Sequence, residues 1–417
     1  MRRDLLRRLL AVVLVGVALA ACSSGSSGGT SAATDATAAP AGTDSSDATT
    51  TSTAERRTTT SRAPTTTTTA PPRETRLSMV FTGDFLTHTP VLAAARTAAG
   101  GYDFGPMLER VAPLIQAADL AICHMEVPIS ADNRDLGGYP LFSAPSESAS
   151  SMVAAGYDGC STASNHSLDR GFGGVSSTLD VFDRAGLVHS GTGRTEEEAL
   201  APGWYEVEGL RIAHLSYTYG TNGIPLPADA PWSVRLIDAP TVVADASRVR
   251  AEGADVVVVS LHWGNEYQSA PTEAQRAAAD AITRDGAVDL VVGHHAHVPQ
   301  PAEQVNGRWV LFGLGNFLSN QSASCCSAAS QDGVLATADL VVRETDEATT
   351  AEVERIGFVP IRVDRAAGFR VTPVAEALAG ATPTSMGPDE LSASLQRTVD
   401  VFAAQPHPQL ALLGPPG

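Results

Sequence analysis

The sequence of 417 residues contains no lysine, and all 28 of its basic residues are arginines. We infer no function from that absence alone. Basic residues are also outnumbered by 46 acidic residues, which gives a formal net charge of −18 at pH 7. A protein that binds nucleic acid needs a basic face to match the phosphates. The composition therefore argues against nucleic acid as a partner.

Cysteine is scarce, with five residues at positions 22, 123, 160, 325 and 326. None of them lies in the polar motifs described below, so the thiolate ligands of structural zinc sites and iron–sulfur clusters are missing there. Cys123 and Cys160 lie in apolar segments, where a buried thiol fits the sequence at least as well as a disulfide. A disulfide between the adjacent Cys325 and Cys326 is not favoured.

The N-terminus lacks an apolar run long enough for an ordinary membrane-spanning helix. Its apolar stretch, residues 9–21, follows four arginines and ends in small residues, which predicts a secretory signal peptide over residues 1–21. The tetrad LAAC at residues 19–22 resembles the lipobox of bacterial lipoproteins. We therefore expect lipidation of Cys22 and an exported protein that is lipid-anchored to the outer face of the cell membrane. The alternative is ordinary signal cleavage with an unmodified Cys22.

Residues 22–75 have almost no large apolar side chains and are rich in threonine, serine and alanine. Such a segment buries too little apolar surface to offset its ordering entropy, which predicts a disordered tether. From about residue 76, apolar strand-like segments alternate with amphipathic stretches such as residues 104–118 and 272–285. This alternation predicts an α/β fold. Thr272 is placed to cap the second of these helices.

Polar side chains follow five of the predicted strands, at the point where each strand ends. In an open α/β sheet these carboxyl ends share one edge, where ligands bind. We therefore expect the polar side chains to lie close together. They are Asp84, His88, Glu126, Asn165, His166, His262, Glu266 and the imidazoles of residues 294–297.

Carboxylate, amide and imidazole donors together are the set that a two-metal hydrolytic site requires. They suit Mn²⁺, Fe or Zn²⁺, and one carboxylate can bridge two such ions. Taken singly, a histidine at a strand end is more often a hydrogen-bonded residue than a metal ligand, and the other motifs also fit a turn or a helix cap. The recurrence of such donors after successive strands favours a site for two divalent metal ions. Trp263 and Tyr267, beside His262, could line a cleft or pack beneath the loop.

Six motifs in this order resemble the CapA family of bacterial capsule synthesis proteins, which are associated with poly-γ-glutamate and belong to the calcineurin-like metallophosphatase superfamily. The resemblance implies a four-layer α/β/β/α metallophosphatase-like sandwich over residues 76–325. Residues 326–417 would add strands and a helix to the same domain and end in a frayed tail. The motifs are GDFLTH (83–88), MEVPIS (125–130), SNHSLDRG (164–171), HWGNEY (262–267), GHHAHVPQP (293–301) and GLGNF (313–317).

Carried over residue by residue, the resemblance implies a bridging role for Glu126 and a role for His166 as a donor or acid toward the reacting group. Which two of the three imidazoles at residues 294–297 bind metal stays open, although the family's His-x-His motif fits His295 and His297. The implied metal ligands are Asp84, His88, Glu126, Asn165, His262, His295 and His297.

Three further features bear on the site, and the last two depart from the family pattern. Glu266, four residues after His262, is placed to orient a ligand imidazole or to act as a base. His124 stands where the family's second motif usually has an amide. The spacing from Asp84 to His88 is longer than the Asp-x-His of typical phosphatases.

Three functions are compatible with the sequence. The first is a metal-dependent hydrolase or transferase that acts on a cell-envelope polymer, either poly-γ-glutamate or a peptidoglycan-linked peptide. The second is a metal-dependent phosphoesterase, and the third is a non-catalytic anchor that binds the polymer. Because the chain is acidic, an anionic polymer would need local cations such as the two metal ions and Arg170.

Overall fold

The structure is a computed structural model that describes residues 73–345 and 348–414. The predicted signal peptide, Cys22 and most of the predicted tether lie outside the described residues. The first strand begins at Arg73, inside the predicted tether, where its first residues pair with the neighbouring strand and also form ion pairs with it. Arg73 contacts Glu344 at 3.4 Å, and Glu74 contacts Arg343 at 2.8 Å. In the part of the chain that is described, no helix has the length and apolar character needed to cross a membrane.

The described residues form seventeen strands, distributed over two large sheets and one small pair. In chain order they are β1 Arg73–Phe85, β2 Leu120–Met125, β3 Ile129–Ser130, β4 Ala144–Pro145, β5 Gly159–Ser161, β6 Val188–Ser190, β7 Gly203–Val207, β8 Leu210–Thr218, β9 Val256–His262, β10 Leu290–His294, β11 Pro299–Val305, β12 Arg308–Leu314, β13 Asn316–Leu318, β14 Asp332–Glu344, β15 Thr349–Asp364, β16 Arg370–Pro373 and β17 Leu410–Leu412.

Ten α-helices and one 3-10 turn, Ala328–Gln331, connect these strands within the described ranges. The helices are α1 Thr89–Ala95, α2 Gly105–Leu108, α3 Ala112–Gln116, α4 Glu147–Ala155, α5 Gly171–Ala185, α6 Glu196–Leu200, α7 Ala239–Ala251, α8 Glu273–Thr283, α9 Val374–Leu378 and α10 Pro388–Phe402.

The first sheet has the strand order β16-β15-β14-β1-β2-β5-β6. Its strands β1, β2, β5 and β6 run parallel, whereas β14, β15 and β16 pair antiparallel. Strand β13 also pairs with β1, and β17 pairs with β15. The strands after residue 331 therefore extend the sheet that β1 begins.

The second sheet has the order β11-β12-β10-β9-β8-β7. Its four inner strands, β12, β10, β9 and β8, run parallel, and the two edge strands pair antiparallel. In both sheets the carboxyl ends of the parallel strands lie along one edge, which is where such sheets bind ligands.

Side chains alternate between the two faces of each sheet and are buried on both. Met79 and Phe81 of β1 pack with Val256 and Val258 of β9 in a core between the sheets. Val80 faces the opposite side and packs among residues of α1 to α5, while the outer face of the second sheet packs against α7 and α8. The layers are thus helix, sheet, sheet and helix, which confirms the predicted four-layer α/β/β/α sandwich.

Two glycines allow the end of β1 to approach the loop after β12. A Cβ atom on Gly83 would lie 1.9 Å from the carbonyl oxygen of Gly315, and Gly315 has a φ of +69°. The backbone N–H of Asp84 donates to that same oxygen at 2.9 Å. Because only glycine permits this contact, Gly83 fixes the position of the carboxylate that follows it.

The described cysteines form two disulfides. Cys123 of β2 and Cys160 of β5 lie opposite each other on paired strands and are bonded. Cys325 and Cys326 are also bonded, in contrast to our expectation from the sequence. These two cysteines lie in a turn that starts at Ser322, whose carbonyl accepts hydrogen bonds from the N–H groups of both, at 3.2 and 3.0 Å.

Helix α10 is tied to the first sheet by a buried carboxylate. Asp332 accepts hydrogen bonds from Arg362, from Arg397 at 2.8 Å and from Ser394 at 2.7 Å. We expect Arg362→Met to lower the free energy of unfolding by about 3 kcal/mol, because it removes one partner of a buried ion pair. Chemical denaturation measures this change. Arg284→Ala, which breaks an exposed ion pair, should leave the unfolding midpoint nearly unchanged; equal losses would contradict the assignment.

Candidate metal centre

The predicted polar residues meet between the carboxyl edges of the two sheets. The first sheet contributes Asp84 at the end of β1, Glu126 after β2 and Asn165 after β5. The second contributes His262 at the end of β9 and the loop after β10, which carries His295 and His297. All six side chains are buried, with at most 3% of each residue exposed.

Their ligand atoms converge in overlapping groups, within each of which all atoms lie within 4.8 Å of one another. Glu126 belongs to two of these groups, and so does His262. A carboxylate shared between two groups is the arrangement that a bridging ligand requires. The groups at this edge are Asp84 with Glu126 and His297, Glu126 with His262 and His295, Asp84 with His124 and His262, and Glu266 with His295 and His297.

Asp84 is held by the loop after β10. Its carboxylate accepts the backbone N–H of His295 at 3.2 Å and lies 2.9 Å from Nδ1 of His297. Asn316 contacts the same Nδ1 at 3.1 Å and donates to the carbonyl of His297 at 3.3 Å. The loop needs this support because His295 and His297 both have positive φ angles, 88° and 56°, which are costly for a residue with a side chain.

Glu126 contrasts with Asp84 because neither of its carboxylate oxygens has a hydrogen-bond partner among the described residues. The nearest positive or potentially positive groups are Nε2 of His297 at 3.7 Å and Nε2 of His262 at 3.8 Å. A buried carboxylate without partners is costly unless a cation compensates it.

Burial and neighbouring charges raise the pKa of some ionisable groups of the site and lower that of others. Burial raises the pKa of Glu126 well above its ordinary value. Burial would also raise the pKa of Asp84, but the imidazoles of His294 and His297 hold it well below its usual range. Burial and nearby imidazoles lower the pKa of His262 strongly and that of His295 to about 3. These two histidines are therefore neutral, as metal ligands must be.

His297 differs from the other imidazoles of the site. Burial would lower its pKa, but the carboxylates of Glu126 and Asp84 raise it to about 9. The site therefore attracts a positive charge to the space between these two acids.

Two predicted residues occupy less central positions. His88 is in none of the converging groups; its Nδ1 accepts the N–H of Asn320 at 3.3 Å, and its ring packs edge-on against Phe142. His294 stacks on His124 with 4.1 Å between ring centroids, and its Nδ1 lies 3.5 Å from Asp84. The converging groups thus use His295 and His297 rather than His294.

His166 and Glu266, predicted to act as acid and base, lie beside this cluster. Nδ1 of His166 is 2.7 Å from Asp169, whose carboxylate also accepts the N–H of Phe142 at 2.7 Å. Asp169 was not among the predicted site residues, although its spacing of three residues from His166 could have indicated it. Glu266 is exposed and converges with His295 and His297.

The two aromatic residues near His262 have different surroundings. Trp263 is buried, stacks on Phe312 and donates Nε1–H to the Phe312 carbonyl at 2.9 Å, so it packs beneath the loop. The ring of Tyr267 lies 6.2 Å from that of His297 at the mouth of the site. Tyr219, which we did not predict, lies 4.5 Å from the ring of His295.

The residues fit divalent metal ions. Two buried carboxylates, one of them without hydrogen-bond partners in the described chain, face neutral imidazoles and the amide oxygen of Asn165. Oxygen and nitrogen donors without thiolate suit Mn²⁺, Fe or Zn²⁺. The fold and this donor set define a layered α/β protein with a candidate metal centre at the shared edge of its two sheets.

A family model described as bacterial capsule synthesis protein PGA_cap matches residues 78–321, which is more than half of the chain. The chain belongs to this family, as the motifs predicted.

Two curated relatives are similar over the same part. The capsule biosynthesis protein CapA of Bacillus anthracis is 28% identical over 257 residues, covering 59% of this chain and 60% of its own length. The PGA biosynthesis protein CapA of Bacillus subtilis is 30% identical over 249 residues, covering 59% and 64%. The chain thus spans less than two thirds of either relative. A solved structure, the calcineurin-like phosphoesterase YfkN from Bacillus subtilis, aligns at 16% identity with a TM-score of 0.43, covering 78% of this chain and 97% of that one.

Proposed function

We propose that the protein is a metal-dependent hydrolase or transferase that acts on poly-γ-glutamate or a related cell-envelope polymer. The observation that carries this proposal is the buried carboxylate of Glu126, which has no hydrogen-bond partner among the described residues and converges with three imidazoles. The names of the two CapA relatives support the polymer, and family membership supports a role in capsule synthesis.

We assign the metal ions to two sets of donors that share Glu126. Asp84 and His297 converge with Glu126 in one set. His262 and His295 converge with it in the other, to which we add Asn165 because its amide oxygen lies 2.9 Å from His262. When bound, two divalent ions polarise a carbonyl or phosphoryl group and make a bound water more acidic. We leave His88 out of both sets because it belongs to none of the converging groups.

His166 is the residue that we assign to proton transfer. Asp169 accepts the hydrogen bond from Nδ1–H, which leaves Nε2 of the ring to accept or donate a proton. We expect His166→Ala to lower kcat by about 10²- to 10⁴-fold while the metal content stays at the parental value. Elemental analysis beside steady-state kinetics measures both. A parallel loss of metal would instead place His166 among the ligands.

The mouth of the site has side chains suited to a polymer rather than to a small phosphate ester. Tyr219 and Tyr267 flank the imidazoles, and the loop before Phe142 exposes Tyr139 and Leu141. The Phe142 ring lies 4.8 Å from that of His166, so this loop borders the site. Arg170 donates to the carbonyl of Leu141 at 3.0 Å and supports the loop.

Glu266 adds a carboxylate at this mouth, close to His295 and His297. It stands near the proposed reacting groups, where it can orient an imidazole or accept a proton. Because Glu266 is negative, as a polyglutamate chain is, we propose that the polymer binds through its own amide groups and through the metal ions rather than through bulk charge attraction.

Three substrates distinguish the candidate functions. The purified, metal-loaded protein is incubated with poly-γ-glutamate, with a peptidoglycan stem peptide and with an aryl phosphate. Shortening of the polymer, or its transfer to the peptide, supports the proposal. Phosphate release at ordinary enzyme rates, without any change in the polymer, would favour a phosphoesterase. Tight polymer binding without turnover would favour a non-catalytic anchor.

We further propose that the protein is exported and held at the outer face of the membrane through a lipid on Cys22, which would place the centre close to envelope polymers. The basis is the signal-like start of the sequence and its LAAC tetrad. Mass spectrometry of the membrane-bound protein tests this directly, and Cys22→Ser should release it into the medium.

A further inference from the structure

His124 is buried at the metal centre, yet both of its ring nitrogens already have protein partners. Nε2 lies 2.9 Å from Nδ1 of His262, and Nδ1 lies 2.8 Å from the hydroxyl of Ser161. The ring is 1% exposed and stacks on His294. With both nitrogens engaged in this way, His124 has no lone pair directed at a metal ion, although it lies beside residues that do.

Ser161, at the end of this series of hydrogen bonds, determines which atom donates in each of them. The Ser161 hydroxyl donates to the backbone carbonyl of Cys123 at 3.3 Å, so its oxygen accepts the proton of Nδ1 of His124. A neutral His124 protonated at Nδ1 has an unprotonated Nε2, which accepts the Nδ1–H of His262. The Nε2 atom of His262 is then left with its lone pair.

That lone pair faces the centre. Nε2 of His262 lies 2.9 Å from the amide oxygen of Asn165 and 3.8 Å from Glu126. An unprotonated nitrogen and a carbonyl oxygen cannot bond to each other, but both can bind the same cation.

We propose that Ser161 and His124 form a positioning relay that keeps His262 in the tautomer required for metal binding. The inference rests on the proposed metal centre and goes beyond it, because it assigns a role to two residues that are not ligands. A buried partner of this kind fixes both the ring orientation and the basicity of a ligating imidazole. The disulfide Cys123–Cys160 lies one register position before the His124–Ser161 pair and holds the two strands together there.

The test is the zinc affinity of the full chain, purified metal-free and titrated with zinc alone in competition with a chelator. We expect His124→Leu to weaken zinc binding about 10- to 100-fold, because Nδ1–H of His262 loses its acceptor. His124→Gln places an amide oxygen near the former Nε2, so it should bind zinc more tightly than His124→Leu. Equal affinity of the leucine variant and the parent would overturn the relay.

A matched control is available in the second sheet. His214 is also buried and also bonds to a serine, with Nε2 2.9 Å from the hydroxyl of Ser260, but no hydrogen bond joins it to a proposed ligand. We expect His214→Leu to leave zinc affinity unchanged. A loss as large as that of His124→Leu would mean that any buried histidine disturbs the site, and the relay would be wrong.

A spectroscopic measurement separates positioning from general stability. In the zinc-loaded protein, ¹⁵N and ¹³C shifts should show His124 protonated at Nδ1 and not at Nε2. A proton on Nε2 would overturn the relay, because that nitrogen could not then accept from His262. Zinc binding that follows this pattern without any turnover would leave the relay intact and count against the catalytic proposal alone.

Discussion

Replacing His262 with alanine is expected to remove at least one of about two divalent ions per chain and to abolish turnover. The loss should be large because the ring of His262, a residue of the second sheet, lies within reach of three residues from the first sheet: Asn165, Glu126 and His124. Elemental analysis of the purified protein, reconstituted with Mn²⁺, Fe²⁺ or Zn²⁺, measures the loss. The variant should keep its fold, since the ring lies at the edge of the sheet rather than in the apolar core.

The matched control for this experiment is His407→Ala, which removes an imidazole that packs edge-on against Trp309 outside the converging groups. Its metal content should equal that of the parent. If the parent itself binds no metal after reconstitution while remaining folded, the dinuclear centre is wrong. A polymer-binding protein would then be the better account of the sequence.

Glu126→Gln is the second change with a large expected effect, and it should act in opposite directions on metal binding and on stability. Without the bridging carboxylate, metal content should fall from about two ions to about one. The metal-free variant should be at least as stable to unfolding as the metal-free parent, because it no longer buries a carboxyl group that lacks partners within the described residues. Elemental analysis and chemical denaturation in a chelator measure the two effects.

Glu126→Asp serves as the comparison because it keeps the charge and shortens the side chain by one methylene. It should retain more metal than Glu126→Gln, although the shorter reach changes how the two ions are held. If Glu126→Gln destabilised the metal-free protein strongly, the carboxylate would have a structural partner that the geometry does not show, and its assignment as a bridge would have to be abandoned.

Much of the candidate site could be predicted from the sequence because parallel strands bring their carboxyl ends to a common edge. Asp84, Glu126 and His262 each follow or end an apolar strand, and the structure brings all three together. Ser161, the last residue of β5, was not among the predicted site residues, because its contact with His124 depends on the register between two strands. Register depends on packing that a single sequence does not show.

The helices show where local signals suffice. Thr272 caps α8 with a complete capping box involving Gln275, as expected from the threonine before the first turn. The predicted helix over residues 104–118 is instead two short helices, α2 and α3. Pro113 in the first turn of α3 has no N–H to continue a preceding helix, so the chain turns between them.

Strand β15 was missed, although it is the longest strand among the described residues. Its sequence contains Glu352, Glu354 and Pro360, which interrupt the apolar pattern by which a strand is predicted. The structure shows why these residues are tolerated: Ala351 and Val353 face the core, while the two glutamates face outward and pair with arginines of neighbouring strands. The available signal was the two-residue alternation over residues 351–354.

The bond between Cys123 and Cys160 has a consequence for how the protein regains its structure after unfolding. Glu126 lies three residues after Cys123 and Asn165 five residues after Cys160, so in an oxidised, unfolded chain both donors stay close to the bond, which closes a loop between cysteines 37 positions apart. Such a loop removes much of the entropy cost of bringing the strands together. Glu126 and Asn165 therefore begin refolding already close in space, whereas Asp84 and the donors from the second sheet must find them.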